Sequence, residues 1–323
     1  MPLAQSWVVN PASASAEVIS QLFWFTLILA GVVFLLVEGL LIYSSLRFRR
    51  RAPLPAIEPP QIHGNTRLEV MWAAVPALLL IGLFGITVTR LGDLSQLPTN
   101  DPNALRIAVT GRQFQWEFDY GDTGVKSTNL LRIPTGRPLI FEVTSLDVIH
   151  SFWVPDMYGK IDANPGRINR ITFAAREPGE FRGVCAELCG AGHAGMLFRV
   201  EAVSANEWQQ WIEQQKSGAP APAAGGPGAD LAVAGHELIV QKNCGGCHTI
   251  PGVQGATGTV GPNLAGVAGR ATIAGGAVPN HGPDDLKKWI MNPSALKPGT
   301  AMPNLGLSDD DATKIAAYLE TLK

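Results

Sequence analysis

Residues 113–120 read Gln-Phe-Gln-Trp-Glu-Phe-Asp-Tyr, so an aromatic residue stands at every second position. Because successive side chains of a β-strand point to opposite faces, this alternation predicts a half-buried strand with one aromatic face. That face comprises Phe114, Trp116, Phe118 and Tyr120. Similar alternation recurs at Leu139–Thr144, Ile168–Phe173 and Met196–Ala202, with Pro and Gly turns between the stretches. Strands at this spacing predict a β-sandwich or barrel of about a hundred residues.

Metal-binding side chains cluster near the end of this region, where residues 185–196 read Cys-Ala-Glu-Leu-Cys-Gly-Ala-Gly-His-Ala-Gly-Met. Two thiols, an imidazole and a thioether form a soft donor set that suits copper rather than magnesium or calcium. A disulfide between Cys185 and Cys189 would leave His193 and Met196 unexplained, and methionine is a poor zinc ligand. Two thiolates with two histidines can bridge a pair of coppers, and the other histidine of this region is His150.

The composition predicts several domains and a membrane segment. Charged residues make up 16% of the 323 positions, against ~25% in ordinary soluble proteins. Two apolar runs, at about 18–46 and 70–89, are each long enough as helices to cross ~30 Å of hydrocarbon. Two such runs so close together favour membrane spans over buried core helices. With 25 basic and 27 acidic residues, no excess positive charge can follow a phosphate backbone, which excludes nucleic-acid binding.

Basic residues indicate the orientation of the two spans. Their connecting loop carries Arg47, Arg49, Arg50, Arg51 and Arg67, whereas no basic residue precedes the first run. The loop is therefore expected in the cytoplasm, and everything after Arg90 on the outer side. Thiols persist there mainly as disulfides, metal ligands or thioethers. A signal peptide fits the first run poorly, because no positive charge precedes it and the run is too long.

The C-terminal part begins with a Pro-, Gly- and Ala-rich linker at 216–229. The region that follows contains Cys244-Gly-Gly-Cys247-His248, the attachment motif of c-type haem, in which the thiols bond the haem and the histidine binds its iron. A second iron ligand must come from His281, Met291 or Met302. We favour Met302, which precedes the amphipathic closing helix, although a methionine there can also be a core residue.

The hairpin, the aromatic strand, His-Ser-Phe-Trp-Val-Pro at 150–155 and the 185–196 cluster together resemble subunit II of the haem-copper cytochrome c oxidases, over about 19–203. The resemblance implies a cupredoxin barrel that carries a binuclear CuA centre. It implies these ligands: His150 and His193 at the two ends, Cys185 and Cys189 as bridging thiolates, Met196 as the weak ligand and the Glu187 carbonyl as the last.

The same resemblance implies roles outside the copper ligands. The Glu187 side chain would bind a magnesium at the boundary with subunit I, beside the segment that contains Asp162, and Glu69 would lie at the mouth of a proton path. Electron transfer is implied at Phe114 and Trp116. The family usually has Trp at the first of these positions as the acceptor from soluble cytochrome c, and the Phe puts that route in doubt.

The last ninety residues resemble class I cytochromes c, in which the segment at 261–264 runs beside the haem. The whole chain therefore resembles subunit II of the caa-type oxidases. We expect a multidomain protein: a transmembrane hairpin in 1–95, an all-β cupredoxin-like domain in 96–215, the linker, and an all-α cytochrome c domain in 230–323. The linker, with a span of roughly 20 Å, would keep the haem near CuA, so that a weak contact suffices.

The resemblance implies a subunit through which electrons enter a bacterial oxidase, from one covalently bound haem c to CuA and then to subunit I. There oxygen would be reduced and protons pumped, with subunit III also present and cytochrome c or another respiratory complex as donor. The alternatives are a CuA-containing nitric oxide reductase subunit and a free membrane-anchored electron carrier. Glu38, Glu69 and Glu187 argue against the free carrier, because each carboxylate favours a protein neighbour.

Overall fold

The computed structural model describes residues 10–49, 60–61, 63–95, 101–217, 228–270 and 272–322. Two compact units are present, one formed by residues 17–97 and the other by residues 1–16 and 98–323. Arg50 and Arg51 of the predicted cytoplasmic loop, and residues 218–227 of the predicted linker, lie outside the described residues.

The two predicted spans are helices α1 (Ala14–Arg47) and α2 (Thr66–Ser95). Both are long and apolar enough to cross a membrane. Their large apolar side chains, such as Leu35 and Leu78, are exposed, as lipid-facing side chains must be. The first turn of α2 is fixed by Asn65, whose side-chain oxygen accepts hydrogen bonds from the backbone N–H groups of the next turn.

The region after α2 is a sandwich of two five-stranded sheets. The strands are β1 (Leu105–Arg112), β2 (Gln115–Asp119), β3 (Lys126–Thr128), β4 (Leu130–Pro134), β5 (Leu139–Ser145), β6 (His150–Trp153), β7 (Ile161–Ala163), β8 (Asn169–Phe173), β9 (Gly179–Cys185) and β10 (Leu197–Val203). One sheet has the order β3-β2-β1-β5-β8 and the other β4-β10-β9-β6-β7. Only β1 with β5 and β4 with β10 pair in parallel among the described strands. The predicted cupredoxin-like fold is confirmed.

The aromatic strand is shorter than predicted. Its alternation suggests a strand from Gln113, but β1 and β2 pair antiparallel with Arg112 opposite Gln115, so Gln113 and Phe114 form the turn of a hairpin. The expectation that Phe114 shares the buried face of Trp116 is therefore wrong. From this turn the Phe114 ring packs against the core of the sandwich and is only half-buried.

Aromatic rings from both sheets fill the core of the sandwich. Trp116, Phe118 and Phe152 are fully buried, and the Phe152 ring stacks on Phe198 with 5.1 Å between centroids. Full burial of each such side chain contributes roughly 1.5–3 kcal/mol. This packing fixes β6, whose first residue is His150. Helix α3 (Ala205–Ser217) follows β10 and buries Trp208 and Trp211.

The C-terminal region is helical and has a core of its own. It contains α4 (Ala229–Gln241), β11 (Thr272–Ile273), β12 (Val278–Pro279), α5 (Pro283–Met291), α6 (Pro293–Leu296) and α7 (Asp309–Leu319). Helices α4 and α7 cross at Gly235, where a Cβ atom would lie 2.0 Å from the carbonyl oxygen of Lys314. Only glycine permits so close a crossing. Tyr318 of α7 then donates a hydrogen bond to the Pro251 carbonyl at 2.9 Å, which connects the helix pair to the loop after the haem motif.

Candidate metal centre and haem-binding site

Six candidate copper donors converge at one end of the sandwich. The Sγ atom of Cys185 lies 3.9 Å from His150 Nδ1, 3.9 Å from Cys189 Sγ and 3.3 Å from the Glu187 carbonyl oxygen. The Sγ atom of Cys189 lies 3.7 Å from His193 Nδ1 and 3.7 Å from Met196 Sδ. All the donors that the sequence singles out therefore surround one small volume.

The strands explain this convergence. Cys185 is the last residue of β9, and Met196 immediately precedes β10, which pairs antiparallel with β9. The Cys185 N–H donates a hydrogen bond of 3.1 Å to the Met196 carbonyl, closing the loop that carries Cys189 and His193. Strand β6 pairs with β9 and brings in His150 from 35 positions earlier in the chain.

Asp147 orients His150, and the sequence analysis missed it. Its carboxylate accepts hydrogen bonds from His150 Nε2 at 2.8 Å and from the backbone N–H groups of Gln113 and Val148, both at 2.7 Å. With Nε2 engaged, Nδ1 is the ring nitrogen that faces the sulfur atoms. Partial burial raises the pKa of Asp147, but the hydrogen bonds from Gln113 and His150 outweigh it and hold that pKa below its usual value. An acidic residue three positions before a candidate ligand was the available signal.

The two cysteines are free thiols and almost completely buried. Their Sγ atoms are 3.9 Å apart, far from the ~2.05 Å of a disulfide. Burial raises the pKa of Cys185, but contacts with His150 and the Glu187 carbonyl outweigh it and lower the pKa to about 6. Burial and the charge of Cys185 raise the pKa of Cys189. A buried pair of sulfurs flanked by two imidazoles and a thioether fits soft copper ions.

The carboxylates of Glu187 and Asp162 lie near the copper loop, which comprises residues 185–196 and carries most of the candidate copper donors. Lys160 Nζ is 3.7 Å from Glu187 and 3.2 Å from Asp162, and both carboxylate side chains are 46% exposed. The chain thus brings Glu187, the magnesium ligand that the resemblance implies, close to Asp162 of the neighbouring segment, with Lys160 near both. Oxygen donors of this kind suit magnesium, although in this arrangement Lys160 already balances their charge.

Two residues of the haem motif, Cys247 and His248, line a cavity in the C-terminal region. Cys244 to Gly246 form a short helical turn, and Cys247 and His248 follow at the cavity wall. His248 Nδ1 lies 2.8 Å from the Pro262 carbonyl, so it donates a hydrogen bond there and leaves Nε2 for iron. Burial lowers the pKa of His248, which favours the neutral imidazole that a metal requires.

Gly261, the first residue of the segment at 261–264, packs directly against the His248 ring. A Cβ atom at this position would lie 2.3 Å from Cε1 of His248, so any larger residue would displace the imidazole. The arrangement of two thiols, an oriented imidazole and an apolar cavity beside them fits a covalently attached haem.

Among the three candidates for the second iron ligand, Met302 lines the same cavity as His248. Both methionines pack against the core of the C-terminal region, but Met291 is not among the described residues that line the cavity. His281 is 81% exposed and contacts Asp285 at 2.9 Å. The geometry favours Met302, and its role stays a prediction.

Arg270 also lines this cavity, and the sequence analysis missed it. Its guanidinium donates hydrogen bonds to the carbonyl oxygens of Asn263 at 2.6 Å and Ala265 at 2.8 Å. Burial lowers its pKa to about 10, so it remains charged at neutral pH. A buried cation at this wall suits the anionic propionates of a haem. Its signal in the sequence was a lone arginine shortly after the segment at 261–264.

The two aromatic residues predicted to carry electrons occupy different positions. Trp116 is fully buried, and its ring centroid lies 5.9 Å from that of His150. Phe114 packs on the copper loop, since a Cβ atom on Gly192 would lie 2.4 Å from its ring, and it also lines the haem cavity. Phe114 is thus in contact with both sites.

Glu69 has a local contact in the first turn of α2. Its Oε1 accepts a hydrogen bond of 3.2 Å from the Asn65 N–H, which completes the cap of this helix. Its role in a proton path stays a prediction, because the contact is fully explained by helix capping.

Comparisons with known proteins agree with these observations. Three family models match the chain: "Cytochrome C oxidase subunit II, transmembrane domain" at residues 4–88, "Cytochrome C oxidase subunit II, periplasmic domain" at 124–203, and "Cytochrome c" at 232–323. The prediction of two membrane-spanning helices followed by domains on the outer side is confirmed.

Individual relatives cover most of the chain. Cytochrome c oxidase subunit 2 of Alkalihalophilus pseudofirmus is 36% identical and covers 98% of this chain and 90% of its own length. The protein of the same name from Bacillus subtilis is 35% identical, over 87% of this chain and 82% of its own. A crystal structure of the periplasmic domain of subunit II of cytochrome oxidase from Bradyrhizobium japonicum is 34% identical and covers 36% of this chain and 96% of its own, with a TM-score of 0.35.

Proposed function

The chain belongs to the cytochrome c oxidase subunit II family, and on this basis we propose that it is the subunit through which electrons enter a caa-type oxidase. It is a subunit of a haem-copper oxidoreductase and works with subunit I. In the proposed order, electrons reach the haem c site first, the CuA site second and subunit I last.

One observation carries this proposal. Phe114 lines the cavity beside His248 and packs at the same time on the glycine-rich loop that holds Cys189 and His193. Gln113, its neighbour, donates a hydrogen bond of 2.6 Å to the Cys189 carbonyl. A single hairpin turn therefore connects a haem-binding wall to a copper-binding loop.

When bound, the haem and the copper pair supply one-electron redox chemistry. The chain's own residues hold and insulate these groups. Cys244 and Cys247 would attach the haem, His248 and Met302 would hold its iron, and Arg270 would balance its propionates. At the copper centre, burial of Cys185 and Cys189 excludes water, and Asp147 keeps the His150 ring in the orientation that a metal requires.

Further parts of the proposal concern the assembly. Glu187 would bind a magnesium at the boundary with subunit I, beside the segment that contains Asp162, and Glu69 would lie at a proton path into subunit I. Subunit III would also be present, and a cytochrome c or another respiratory complex would be the donor.

The proposal is tested by purifying the intact membrane complex and measuring metal content, absorption spectra and turnover. We expect two coppers and one covalently bound haem c per chain, copurification with a subunit that contains haem, and consumption of oxygen. One copper or zinc per chain, or haem that acid acetone extracts from this subunit, would refute the site assignment. Reduction of nitric oxide without consumption of oxygen would assign the complex to the nitric oxide reductases.

A further inference from the structure

The wall of the candidate haem cavity is built from two regions of the chain. Its C-terminal residues include Cys247, His248 and Met302, and its residues from the sandwich are Gln113, Phe114, Gln115 and Asn129. If the two regions were only tethered, the C-terminal region would not need to share a cavity wall with the sandwich. The contacts around it are specific enough to identify a docking face.

Lys297 makes the most directional of these contacts. Its Nζ atom lies 5.5 Å from the centroid of the Phe114 ring, inside the ~6 Å range of a cation–π interaction. The same ammonium group donates a hydrogen bond of 2.8 Å to the Ala274 carbonyl. The cation is thus held by its own region and directed at an aromatic ring of the sandwich.

The backbone beside Ala274 approaches the sandwich closely. Gly275 has φ +68°, and a Cβ atom there would lie 2.5 Å from the carbonyl oxygen of Phe114. A Cβ atom on Gly276 would lie 3.2 Å from the Gly195 carbonyl and 3.2 Å from Leu197 Cβ. Because both glycines have positive φ and a Cβ atom on either would lie against the sandwich, glycine is the residue that fits this turn to that surface.

A third contact is made by Arg112, two residues before Phe114 in the chain. Arg112 of β1 donates a hydrogen bond to the carbonyl oxygen of Thr259, in the loop that precedes Gly261. Its guanidinium is also paired with Glu117 at 3.1 Å, which fixes its direction. Because this contact is separate from those of Lys297 and Gly275, the three together restrict rotation of the C-terminal region about Phe114.

We propose that Ala274–Gly276 and Lys297 form a docking face that seats the cytochrome c region on Phe114 and on the copper loop in one fixed arrangement. This inference deepens the proposed function and rests on it, because it specifies how the haem site meets the copper site. The contacts are few, but the linker keeps the partners at a millimolar effective concentration, so a weak interface is sufficient to keep them docked. The docking face, rather than the length of the linker, then sets the distance between the sites.

Amine labelling of the full-length holoprotein tests the docking face. The reagent is an N-hydroxysuccinimide ester of acetic acid, and the labelling rate of each lysine is measured by mass spectrometry. Lys297 should react severalfold more slowly than the exposed Lys242 of the same region, because Lys297 is half-buried and opening of the face increases access to its amine. Phe114→Ala should increase the Lys297 rate severalfold and leave that of Lys242 unchanged.

A second variant, Leu197→Asp, disturbs the docking face without changing Phe114. Leu197→Asp places a carboxylate against Gly276 and should also expose Lys297, whereas the matched Leu231→Asp, at a residue 42% exposed on α4, should leave the Lys297 rate unchanged. Haem and copper absorption bands check that each variant is folded and loaded.

Two outcomes overturn the inference. Equal rates for Lys297 and Lys242 in the unmodified protein would show that the face is open. Slow labelling of Lys297 in both the Phe114→Ala and Leu197→Asp variants would show that the Ala274 carbonyl alone protects it. Absence of haem or copper bands from the unmodified chain would refute the proposed function instead, and the labelling rates would still report on docking.

Discussion

Replacement of Asp147 by alanine tests how the fold prepares the copper site. The carboxylate accepts three hydrogen bonds between 2.7 and 2.8 Å, from His150 Nε2 and from the N–H groups of Gln113 and Val148. Its loss frees the His150 ring to rotate and removes the partner that directs Nδ1 toward Cys185. Loss of such an outer partner typically weakens metal binding by about 10- to 100-fold, or roughly 1.4–2.8 kcal/mol.

The Asp147→Ala variant should lose little folding stability, because water can replace part of what the carboxylate provides. The Asp147 side chain is 32% exposed, so water can satisfy the Gln113 and Val148 N–H groups that it leaves. We therefore expect weaker copper binding with a fold that is largely unchanged. Asp147→Asn retains one acceptor oxygen for His150 but places an amide NH₂, which cannot accept, opposite the Gln113 N–H. Its loss of copper affinity should be smaller than that of Asp147→Ala.

The assay is competition for copper between the purified protein and a chelator, followed by the absorption of the copper–thiolate bands. Asp122→Ala, which removes an exposed carboxylate of the same domain, is the control and should bind copper as the unmodified protein does. An affinity of Asp147→Ala within about threefold of the unmodified protein would refute the reasoning. It would mean that packing against Trp116 alone orients His150.

Three further predictions follow from the same structure. Met196→Leu should retain copper and change its reduction potential, since a weak ligand tunes the site; loss of the metal on dialysis would show that the thioether is needed for binding. The double variant Cys244→Ala with Cys247→Ala should contain no covalent haem, whereas Met302→Ala should keep the haem, lose the sulfur-to-iron charge-transfer band and have a lower potential; an unchanged band would identify another ligand. Gly235→Ala should lower the free energy of unfolding of the C-terminal region by about 1–3 kcal/mol, because the new methyl group overlaps a backbone carbonyl; a stability equal to that of the unmodified protein in chemical denaturation would mean that the two helices separate at no cost.

Local patterns in the sequence account for much of the fold. The length of the apolar runs predicts α1 and α2, and the period-two alternation predicts β5, β8 and β10 to within a residue or two. These predictions succeed because the length of an apolar run and the period of its apolar residues depend on the surroundings of that segment alone. A span is surrounded by lipid, and a half-buried strand has the core on one face and water on the other. The alternation fails at Phe114, where the position of a turn depends on which strand pairs with β2.

The candidate site residues likewise divide into those that a sequence pattern identifies and those that it does not. The spacing of the cysteines, His193 and Met196 identifies their chemistry because one short loop must hold them all. Asp147 and Arg270 belong to no recognisable motif, and their contacts with residues 3 to 7 positions away depend on how the turns of these segments fold. The sequence by itself therefore determined the membrane spans, the strand-rich domain and the two redox-active motifs, since each depends on residues close together in the chain. Only the tertiary structure decided that Asp147 orients His150, that Phe114 contacts both sites and that Lys297 faces its ring. Those contacts join residues between 3 and 183 positions apart, and their geometry is set by strand pairing and packing rather than by sequence spacing.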